Sequence, residues 1–439
     1  MHSLDRWFRL SQSGATVRGE VLGGATTFFT MAYIAVVNPA ILKFAGIPVG
    51  PSTVATLLTA VVGSLLMAFL ANRPFAVAPY MGENAFIAFS LAALNVTWQQ
   101  RLGAVFVAGV AFVIITLAGV RGWLAASIST SMKHAFGAGI GLFLGFIGLF
   151  ETGIVVSGAP AVPVKIGNLA DAPVLLAVLG FALIALLFSR RVPGAILIGM
   201  VATALVGALT GHAHAPRGVF ALPFAGEYSL APIAFQLDIA GVLRWAMLPA
   251  LLTLVLMSFF DTLGTLVGLG SAAQLLDAKG NLPEIEKPML VDALSCAFSG
   301  LVGTSTSGVF IESATGIRAG ARTGLAAVVT AALFALSLFL LPLIEPLQAL
   351  RFAYGPALIA VGALMLGSLR HVDFDDLTEA IPAFATVALI AFTYNIANGL
   401  TAGLLLHPVL KAAARKPVNG GSLVLGAVSL LYYAFGLPH

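Results

Sequence analysis

The sequence predicts an all-α membrane protein that crosses the bilayer many times. Of its 439 residues, 59% are hydrophobic and only 9% are charged, whereas a soluble globular domain carries about 25% charged residues. The apolar residues form repeated runs of the length that a spanning helix needs, which is about 20 residues. The longest polar stretches, 212–238 and 276–287, have only the length of loops. We therefore expect no separate soluble domain among these residues.

Apolar runs place the predicted membrane segments along the chain. Two of them, 74–94 and 303–316, are too short or too broken to be ordinary spanning helices, because the first contains prolines and the second has few large apolar residues. We expect about fourteen segments, and the count near the C-terminus is open by one. The full-length runs lie near 20–44, 53–71, 102–119, 135–150, 173–189, 194–211, 243–270, 288–302, 322–342 and 355–369, and shorter runs lie at 379–394, 397–413 and 421–436.

Basic residues predict which side of the membrane the loops face. If both broken segments cross the bilayer, most arginines and lysines fall on one side, which the positive-inside rule makes cytoplasmic together with the N-terminus. Lys43, Arg101 and Lys165 fall on the other side. The net charge of +4 lies in loops, so we expect no nucleic-acid partner. The cytoplasmic set is Arg6, Arg9, Arg18, Arg73, Arg121, Arg190, Arg191, Arg318, Arg322, Lys411, Arg415 and Lys416.

The two broken segments hold matching positions in the chain. Segment 74–94 is the third from the start, and segment 303–316 is the third after the polar loop at 212–240. The helices that open the two halves share a similar core, TTFFTMAYIAV and SFFDTLGTLVG. This pattern indicates two inverted repeats of seven segments. Broken segments at equivalent positions of such repeats point to the binding site of a transporter.

Two acidic residues lie inside apolar segments. Asp261 lies in LVLMSFFDTLGTLVGL and Glu312 lies in GTSTSGVFIESATG. A carboxylate in the bilayer interior is costly, so acids there usually line a substrate or ion pathway. Thr265 shares a helix face with Asp261, because it follows at i+4. Transport is therefore the first hypothesis, and the alternative for Asp261 is a buried acid that hydrogen-bonds a neighbouring helix.

The residues before Glu312 are rich in glycine, serine and threonine, which predicts an extended stretch followed by a half-helix. The N-terminal end of a helix favours a carboxylate or a polar ligand. Extended backbone at membrane depth must be buried in protein or line a cavity. Glu312 is therefore a candidate ligand-binding residue, and the alternative is that it only caps the half-helix.

Glu83 and Asn84, in APYMGENAFIAF, open the other predicted half-helix. Glu83 points either to a ligand or to water at the helix end. Asn84 either caps the helix or hydrogen-bonds a planar ligand. Thr26, Thr27 and Thr30 are more typical of hydroxyls that pack helices and bond their own backbone.

The remaining polar motifs give no support for an enzyme, a cofactor or a metal. GLGSAAQ and GTSTSG lack the lysine of a phosphate-binding loop. His212 and His214 lie in a loop with no cysteine or acid cluster nearby, which makes a metal site there a weak hypothesis. An acidic cluster near the C-terminus is predicted to be solvated, and it comprises Asp373, Asp375, Asp376 and Glu379.

Three stretches resemble the purine permeases of the AzgA type, within the nucleobase–cation symporter class that includes the uracil and xanthine permeases. They are GGATTFFTMAYIAVVNP, FFDTLGTLVG and GTSTSGVFIESATGIRAGARTGLAAVV. The resemblance covers nearly the whole chain. It implies the uracil-permease-like fold, with about fourteen transmembrane segments in two inverted repeats of seven and short extended stretches in segments 3 and 10.

The resemblance also implies two domains that move against each other in a homodimer. The core domain would comprise residues 1–120 (segments 1–4) and 241–342 (segments 8–11). The gate domain would comprise residues 121–240 (segments 5–7 and the following loop) and 343–439 (segments 12–14 and the C-terminus).

Carried over by position, Asp261 and Glu312 match the two acids that hold the nucleobase in this family. Thr265 stands where uracil permeases have a histidine, and Phe310 and Ile311 would supply backbone groups beside the ligand. The substrate-binding candidates are Asp261, Glu312, Thr265, Phe310, Ile311, Glu83, Asn84, Phe86 and Thr30, and the proton-coupling candidates are Asp261, Glu312 and Glu83.

The chain departs from the family pattern in two places. It reads APYMGENAF where the family reads close to APGMGLNAY, so Tyr80 and Glu83 replace a glycine and a leucine. It also has Ser307-Gly308-Val309 where the family favours a run of threonines. If Glu83 points into the site, three acids meet in a low-dielectric cavity. Burial and like charge both disfavour ionisation of all three, so at least one would hold a proton.

We therefore expect an inner-membrane secondary transporter that takes up a purine nucleobase such as adenine, guanine or hypoxanthine by proton symport, with another cation as the alternative coupling ion. Three alternatives stay open: another nucleobase-like or small planar substrate, an anion exchanger of related fold, and a channel. An anion exchanger would be expected to carry a cationic or neutral half-helix site and a C-terminal soluble domain.

Overall fold

The computed structural model describes residues 2–119, 123, 127–159, 162–276 and 282–435. Within this part of the chain, seven helices are long and apolar enough to cross a membrane. The number rises to eight if Gly324–Ser337 and Leu341–Ala349, which are bent by 80°, form one span. The other predicted segments are shorter or broken helices. The prediction of a mostly helical, multi-pass membrane protein is confirmed.

The first half of the chain follows the predicted order with two differences. The first predicted helix consists of two pieces, because Ala32 and Tyr33 form a turn in its middle. A short hairpin (β2, β3) also follows the fifth segment, and strands of three residues leave no periodicity to predict them. The elements are α1 (His2–Phe8), α2 (Val17–Met31), α3 (Ile34–Leu42), α4 (Val49–Leu66), β1 (Val77–Pro79), α5 (Met81–Ala88), α6 (Trp98–Leu117), α7 (Thr130–Glu151), β2 (Val155–Ser157), β3 (Val164–Ile166), α8 (Ala172–Ser189) and α9 (Ala195–Leu209).

The second half repeats the order of long helix, helix, and strand with a short helix. The predicted helix at 322–342 ends early, and a separate helix with Pro342 in its first turn follows it. All three short C-terminal runs form helices, so the described residues contain a helix at each of the fifteen apolar runs given above. The elements are α10 (Ile239–Val242), α11 (Leu248–Ala272), α12 (Glu286–Val302), β4 (Ser307–Val309), α13 (Ser313–Arg318), α14 (Gly324–Ser337), α15 (Leu341–Ala349), α16 (Arg351–Met365), α17 (Leu377–Phe392), α18 (Ile396–Ala413) and α19 (Gly420–Phe435).

The two broken segments meet through their strands. β1 and β4 pair antiparallel, with Ala78 opposite Gly308. Two further backbone hydrogen bonds extend the pair, from the Tyr80 amide to the Thr306 carbonyl at 2.9 Å and from the Phe310 amide to the Ala76 carbonyl at 2.9 Å. The predicted extended stretches in segments 3 and 10 are therefore confirmed. The pair is buried, so its backbone groups satisfy each other inside the protein.

Two groups of helices pack within themselves. The first group comprises α2, α4, α6, α12 and α14, and the second comprises α7, α8, α9, α16, α17 and α18. Glycines allow the closest approaches: a Cβ at Gly109 in α6 would lie 2.7 Å from the Ala297 Cα in α12. The predicted division into core and gate domains, with its boundaries, stays a prediction.

Arg101 has a structural role that the sequence did not reveal. Arg101 is buried, and its Nη1 donates to the Ile87 and Ala88 carbonyl oxygens at 2.8 Å each. This guanidinium therefore binds the last carbonyls of α5, where a helix favours a cation. Arg121, which the topology prediction uses, lies outside the described residues.

The prediction that the acidic cluster is solvated is wrong for Glu379. Its side chain is only 8% exposed, and it accepts hydrogen bonds from Ser129 and Lys411. Asp376 at the end of the same loop bonds Lys411 and Lys416. Hydrogen bonds from Lys416 and Thr378 hold the pKa of the Asp376 carboxyl well below its usual range. Asp376 and Glu379 therefore belong to an ion-pair network with Lys411 of α18 and Lys416 just after it, whereas Asp373 and Asp375 are exposed as predicted.

Candidate functional site

Asp261 and Glu312 come from two elements that pack together. Asp261 lies in the middle of α11, and Glu312 lies directly before α13, which contacts α11. Both side chains are partly exposed, and the two carboxyl groups are near enough to interact electrostatically. Neither acid forms a salt bridge with any of the described residues. The structure thus brings the two predicted acids together without a counter-charge, and their binding role stays a prediction.

Glu312 does not cap the half-helix with its side chain. It occupies the position before α13 with φ −57°, and its carboxylate makes no capping hydrogen bond. Its Oε1 instead accepts a hydrogen bond of 2.8 Å from the Tyr33 hydroxyl, which lies at the break between α2 and α3. This bond fixes the orientation of the carboxylate and leaves Oε2 for another donor.

Thr265 and Thr30 lie near these acids in different ways. Thr265 is buried in α11, one turn after Asp261. The Thr30 hydroxyl donates to the Thr27 carbonyl at 2.8 Å and lies 3.0 Å from the Thr315 hydroxyl. The Thr30 side chain therefore links α2 to α13, which agrees with the packing interpretation of this residue.

The backbone of Phe310 takes part in hydrogen bonds within the protein, and its ring lies beside that of Tyr80. Its amide donates a hydrogen bond to the Ala76 carbonyl in the strand pair, and its carbonyl accepts one of 3.1 Å from the Ser313 amide. The amide is thus committed to the strand pair, while the carbonyl oxygen has a second lone pair, so the backbone role of Phe310 stays a prediction. Its ring lies parallel to that of Tyr80, at 7° between planes and 6.4 Å between centroids.

Ile311 and Phe86 have opposite environments. The Ile311 side chain is 51% exposed, and its amide donates to no acceptor among the described residues. That amide fits the expected role of a backbone donor beside Glu312. Phe86 is buried within the apolar core on α5, so its predicted contact with a ligand has no support from an exposed ring face.

Glu83 is buried, so the alternative that it faces water is wrong. Its side chain is 1% exposed in the first turn of α5. Both carboxyl oxygens lack a hydrogen-bond partner among the described residues. The strongest charge interactions of Glu83 are with two other acids, Asp261 and Asp292. A third acid therefore belongs to the same cluster as the two predicted ones.

Asn84 is held by a buried polar network. Its Nδ2 donates to Asn38 Oδ1 at 2.9 Å, and its own Oδ1 is buried without a partner. Asn38 Nδ2 in turn donates to the Thr56 and Thr304 hydroxyls at 2.8 Å each, and its Oδ1 also accepts from the Ser305 hydroxyl. The network joins four membrane segments and leaves Asn84 Oδ1 as an available acceptor.

Asp292 is the main residue of this region that the sequence reasoning missed. It lies on α12 with no exposure to solvent, and its Oδ2 accepts from the Tyr80 and Thr262 hydroxyls, at 3.0 Å for Tyr80. Its Oδ1 has no partner among the described residues. The available signal was a lone acid in the apolar run MLVDALSCAF, which the charged residues just before it made resemble a helix end.

Comparison with known proteins identifies the family. The family model named Xan_ur_permease, Permease family, matches residues 18–401. The chain is 40% identical to adenine permease AdeP of Escherichia coli K12 over 93% of this chain and 90% of AdeP. It is 37% identical to guanine/hypoxanthine permease PbuO of Bacillus subtilis 168 over 93% of this chain and 95% of PbuO.

A solved structure shows the fold. The transmembrane domain of the cyanobacterial bicarbonate transporter BicA matches 87% of this chain and 97% of its own length, with a TM-score of 0.64 and 18% sequence identity. The uracil-permease-like fold and the resemblance to purine permeases are thus confirmed. The protein is a transporter rather than an enzyme, and it belongs to the permease family of the xanthine and uracil permeases.

Proposed function

We propose that this permease takes up purine nucleobases by proton symport. The relatives at 37–40% identity are an adenine permease and a guanine/hypoxanthine permease, which supports a purine as substrate. The observation that carries the proposal is the meeting of Asp261 and Glu312, without a counter-charge, beside the ends of the paired strands.

The chemistry of this region fits a neutral planar base. A purine carries ring N–H donors, and the Glu312 carboxylate, oriented by Tyr33, offers Oε2 as an acceptor. Asp261 offers a second carboxylate, and the Ile311 amide offers a donor to a ring nitrogen or carbonyl. A wrong base would leave buried polar groups unpaired, which is how such a site discriminates strongly.

The parallel rings of Tyr80 and Phe310 lie next to these polar groups, and each side chain is only 4% exposed, so a base would stack on them only after the rings move apart from their neighbours. Bases stack on aromatic side chains with about 1–3 kcal/mol per base. A small anion would gain nothing from the rings and would be repelled by the acids. These features favour a nucleobase over the substrate of an anion exchanger.

Transport would proceed by alternating access, with a core domain (1–120 and 241–342) moving against a gate domain (121–240 and 343–439) in a homodimer. The two groups of helices that pack within themselves support this division. The protein would lie in the plasma membrane with a cytoplasmic N-terminus, as its basic loops indicate. The coupling proton would bind within this cluster of acids, for which Asp261, Glu312 and Glu83 are the candidates that the sequence predicts.

A ligand screen followed by transport tests the proposal. Purified protein would be heated with adenine, guanine, hypoxanthine, uracil or bicarbonate, and a purine should raise its unfolding temperature while bicarbonate should not. In proteoliposomes the purine should accumulate only when the outside is more acidic than the inside. Uptake that does not saturate would indicate a channel, and stabilisation by bicarbonate alone would overturn the nucleobase assignment.

A further inference from the structure

We infer that Asp292 and Glu83 form a proton-binding site of their own, behind the acids that face the substrate. The inference rests on the proposed function, because it assigns the coupling proton of that function to a particular pair. It adds Asp292, which lies on a helix that the substrate site does not use, and it removes Asp261 and Glu312 from the proton-carrying role.

The first support is the environment of Glu83. Its carboxyl group is buried in α5 at 1% exposure, and neither oxygen has a donor among the described residues. A buried carboxylate that lacks both a counter-charge and hydrogen bonds is strongly disfavoured relative to the neutral acid. In this conformation, Glu83 therefore holds a proton.

The two oxygens of Asp292 have different environments, and only Oδ1 resembles the oxygens of Glu83 in lacking a hydrogen bond. Hydroxyl groups of Tyr80 and Thr262 donate to Oδ2, which stabilises an ionised carboxylate. Oδ1 is buried without a hydrogen-bond partner among the described residues, and the backbone amide of Val309 also faces this carboxyl group. Asp292 is thus able to exist in the charged form, and it also has an oxygen available to accept a proton.

The groups that face this pair are acidic or neutral. Asp261 of α11 interacts with both acids, Tyr80 lies at the end of β1, and the Cys296 thiol lies one turn after Asp292. Glu312 interacts with Asp261 and accepts a hydrogen bond from Tyr33.

The basic group on the neighbouring helix α6 is already committed. Arg101 binds the carbonyl oxygens of Ile87 and Ala88 at the far end of α5. Because no cation among the described residues pairs with them, protonation of one carboxyl group of Glu83 and Asp292 is favoured over ionisation of both. Loss of that proton adds a negative charge to a cluster that already contains Asp261, which links protonation of the pair to the state of the substrate acids.

The proton balance of one cycle is simple. A proton from the outside forms an O–H bond with one carboxylate oxygen of the pair, and the pair becomes less negative by one charge. On the cytoplasmic side that O–H bond breaks, and the proton passes to water.

The test separates proton coupling from substrate binding. Asp292→Asn keeps an oxygen that accepts both hydroxyl bonds, but the amide cannot gain or lose a proton. In proteoliposomes loaded with unlabelled adenine or hypoxanthine, exchange for labelled base without a gradient should stay within about twofold of wild type. Accumulation driven by a pH gradient should be lost. The concentration of the base inside should then be about equal to that outside, because an uncoupled carrier only equilibrates its substrate. Glu83→Gln should also lose the accumulation that a pH gradient drives.

Two controls make the result specific. Ser299 lies on the same face of α12 as Asp292, and its hydroxyl donates to the Cys296 carbonyl. The variant Ser299→Ala should therefore keep both exchange and accumulation. Tyr80→Phe removes the hydroxyl that Asp292 accepts and keeps the ring, and it should retain accumulation. If Tyr80→Phe instead reproduces Asp292→Asn, Asp292 acts only by holding Tyr80 and the inference is wrong.

The remaining outcomes are also decisive. If Asp292→Asn and Glu83→Gln still accumulate the base with the gradient, the pair does not carry the proton. If both variants fold but lose exchange, they belong to substrate binding instead. A wild-type protein that accumulates the base without any dependence on the proton gradient would overturn proton symport itself, and that result is visible before any variant is made.

Discussion

The ring of Tyr80 lies over Gly308, in the space that any larger residue at position 308 would need. A Cβ there would overlap the phenol ring and its hydroxyl oxygen. Both positions depart from the pattern of the AzgA-type permeases, which have glycine in segment 3 and favour threonines in segment 10. The two departures are complementary, because a large side chain on one strand faces the smallest residue on the other.

Gly308→Ala should therefore displace the Tyr80 ring. Overpacking a buried site costs about 1–3 kcal/mol, so the unfolding temperature should fall, and the affinity for the nucleobase should fall with it. The double variant Tyr80→Ala with Gly308→Ala should recover part of the lost stability. Thermal unfolding of the single and double variants gives the coupling as a double-mutant cycle.

Gly264→Ala is the matched control for this cycle, because a Cβ at Gly264 in α11 would contact nothing within 4 Å. It should leave stability unchanged or raise it slightly, since alanine favours a helix. Equal effects of the two alanine substitutions would show that the Tyr80 ring does not depend on the space at Gly308.

The two acids of the substrate site should each be required for tight binding. Asp261→Asn and Glu312→Gln remove a charge-assisted hydrogen bond worth about 1.5–3 kcal/mol, which is roughly tenfold to a hundredfold in affinity. Calorimetry with the best-binding purine measures the loss in each variant. Glu284→Gln, which changes an exposed acid that pairs with Lys287, should bind like wild type. Unchanged affinity in both site variants would remove these acids from binding.

Tyr33 should act through Glu312 rather than on the ligand. Tyr33→Phe removes the hydroxyl that holds Oε1, so the carboxylate becomes free to rotate and the affinity should fall by about threefold to tenfold, or ~1 kcal/mol. In the Glu312→Gln background the same substitution should cost much less, because the group that it orients is gone. Full additivity of the two losses would show that Tyr33 contributes independently of Glu312.

Much of this region could be predicted from the sequence because its signals are local. Asp261 and Glu312 are conspicuous as acids within apolar runs, and the glycine-, serine- and threonine-rich stretch before Glu312 is incompatible with a regular helix. Helix positions and the strand in segment 10 follow from the same local composition. The N–H of Phe310 could not be assigned, because its partner, Ala76, lies in the other half of the chain.

The roles of Tyr33, Asn38 and Asp292 depend on contacts between distant residues. Tyr33 and Glu312 are 279 positions apart, and Tyr80 and Asp292 are 212 apart. A tyrosine or an asparagine in an apolar helix has no local feature that names its partner. Glu379 shows the same limit, since its burial depends on contacts with His407 and Lys411 of another helix.

Replacing Glu83 by leucine restores the residue that the family pattern has at this position, and the variant should be more stable than wild type. A buried polar group without a hydrogen bond costs about 1–3 kcal/mol, and leucine removes that cost, so the unfolding temperature should rise. The variant also removes one acid from the cluster of Asp261 and Asp292, so the substrate preference or the pH dependence of uptake should change. Initial uptake rates for adenine and hypoxanthine, measured between about pH 5 and 8, report the substrate preference and the pH dependence. Glu83→Gln keeps a polar group in the same space and should lack the gain in stability. A leucine variant that matches wild type in unfolding temperature, preference and pH profile would show that the buried carboxyl of Glu83 is neither a burden on the fold nor part of the transport cycle.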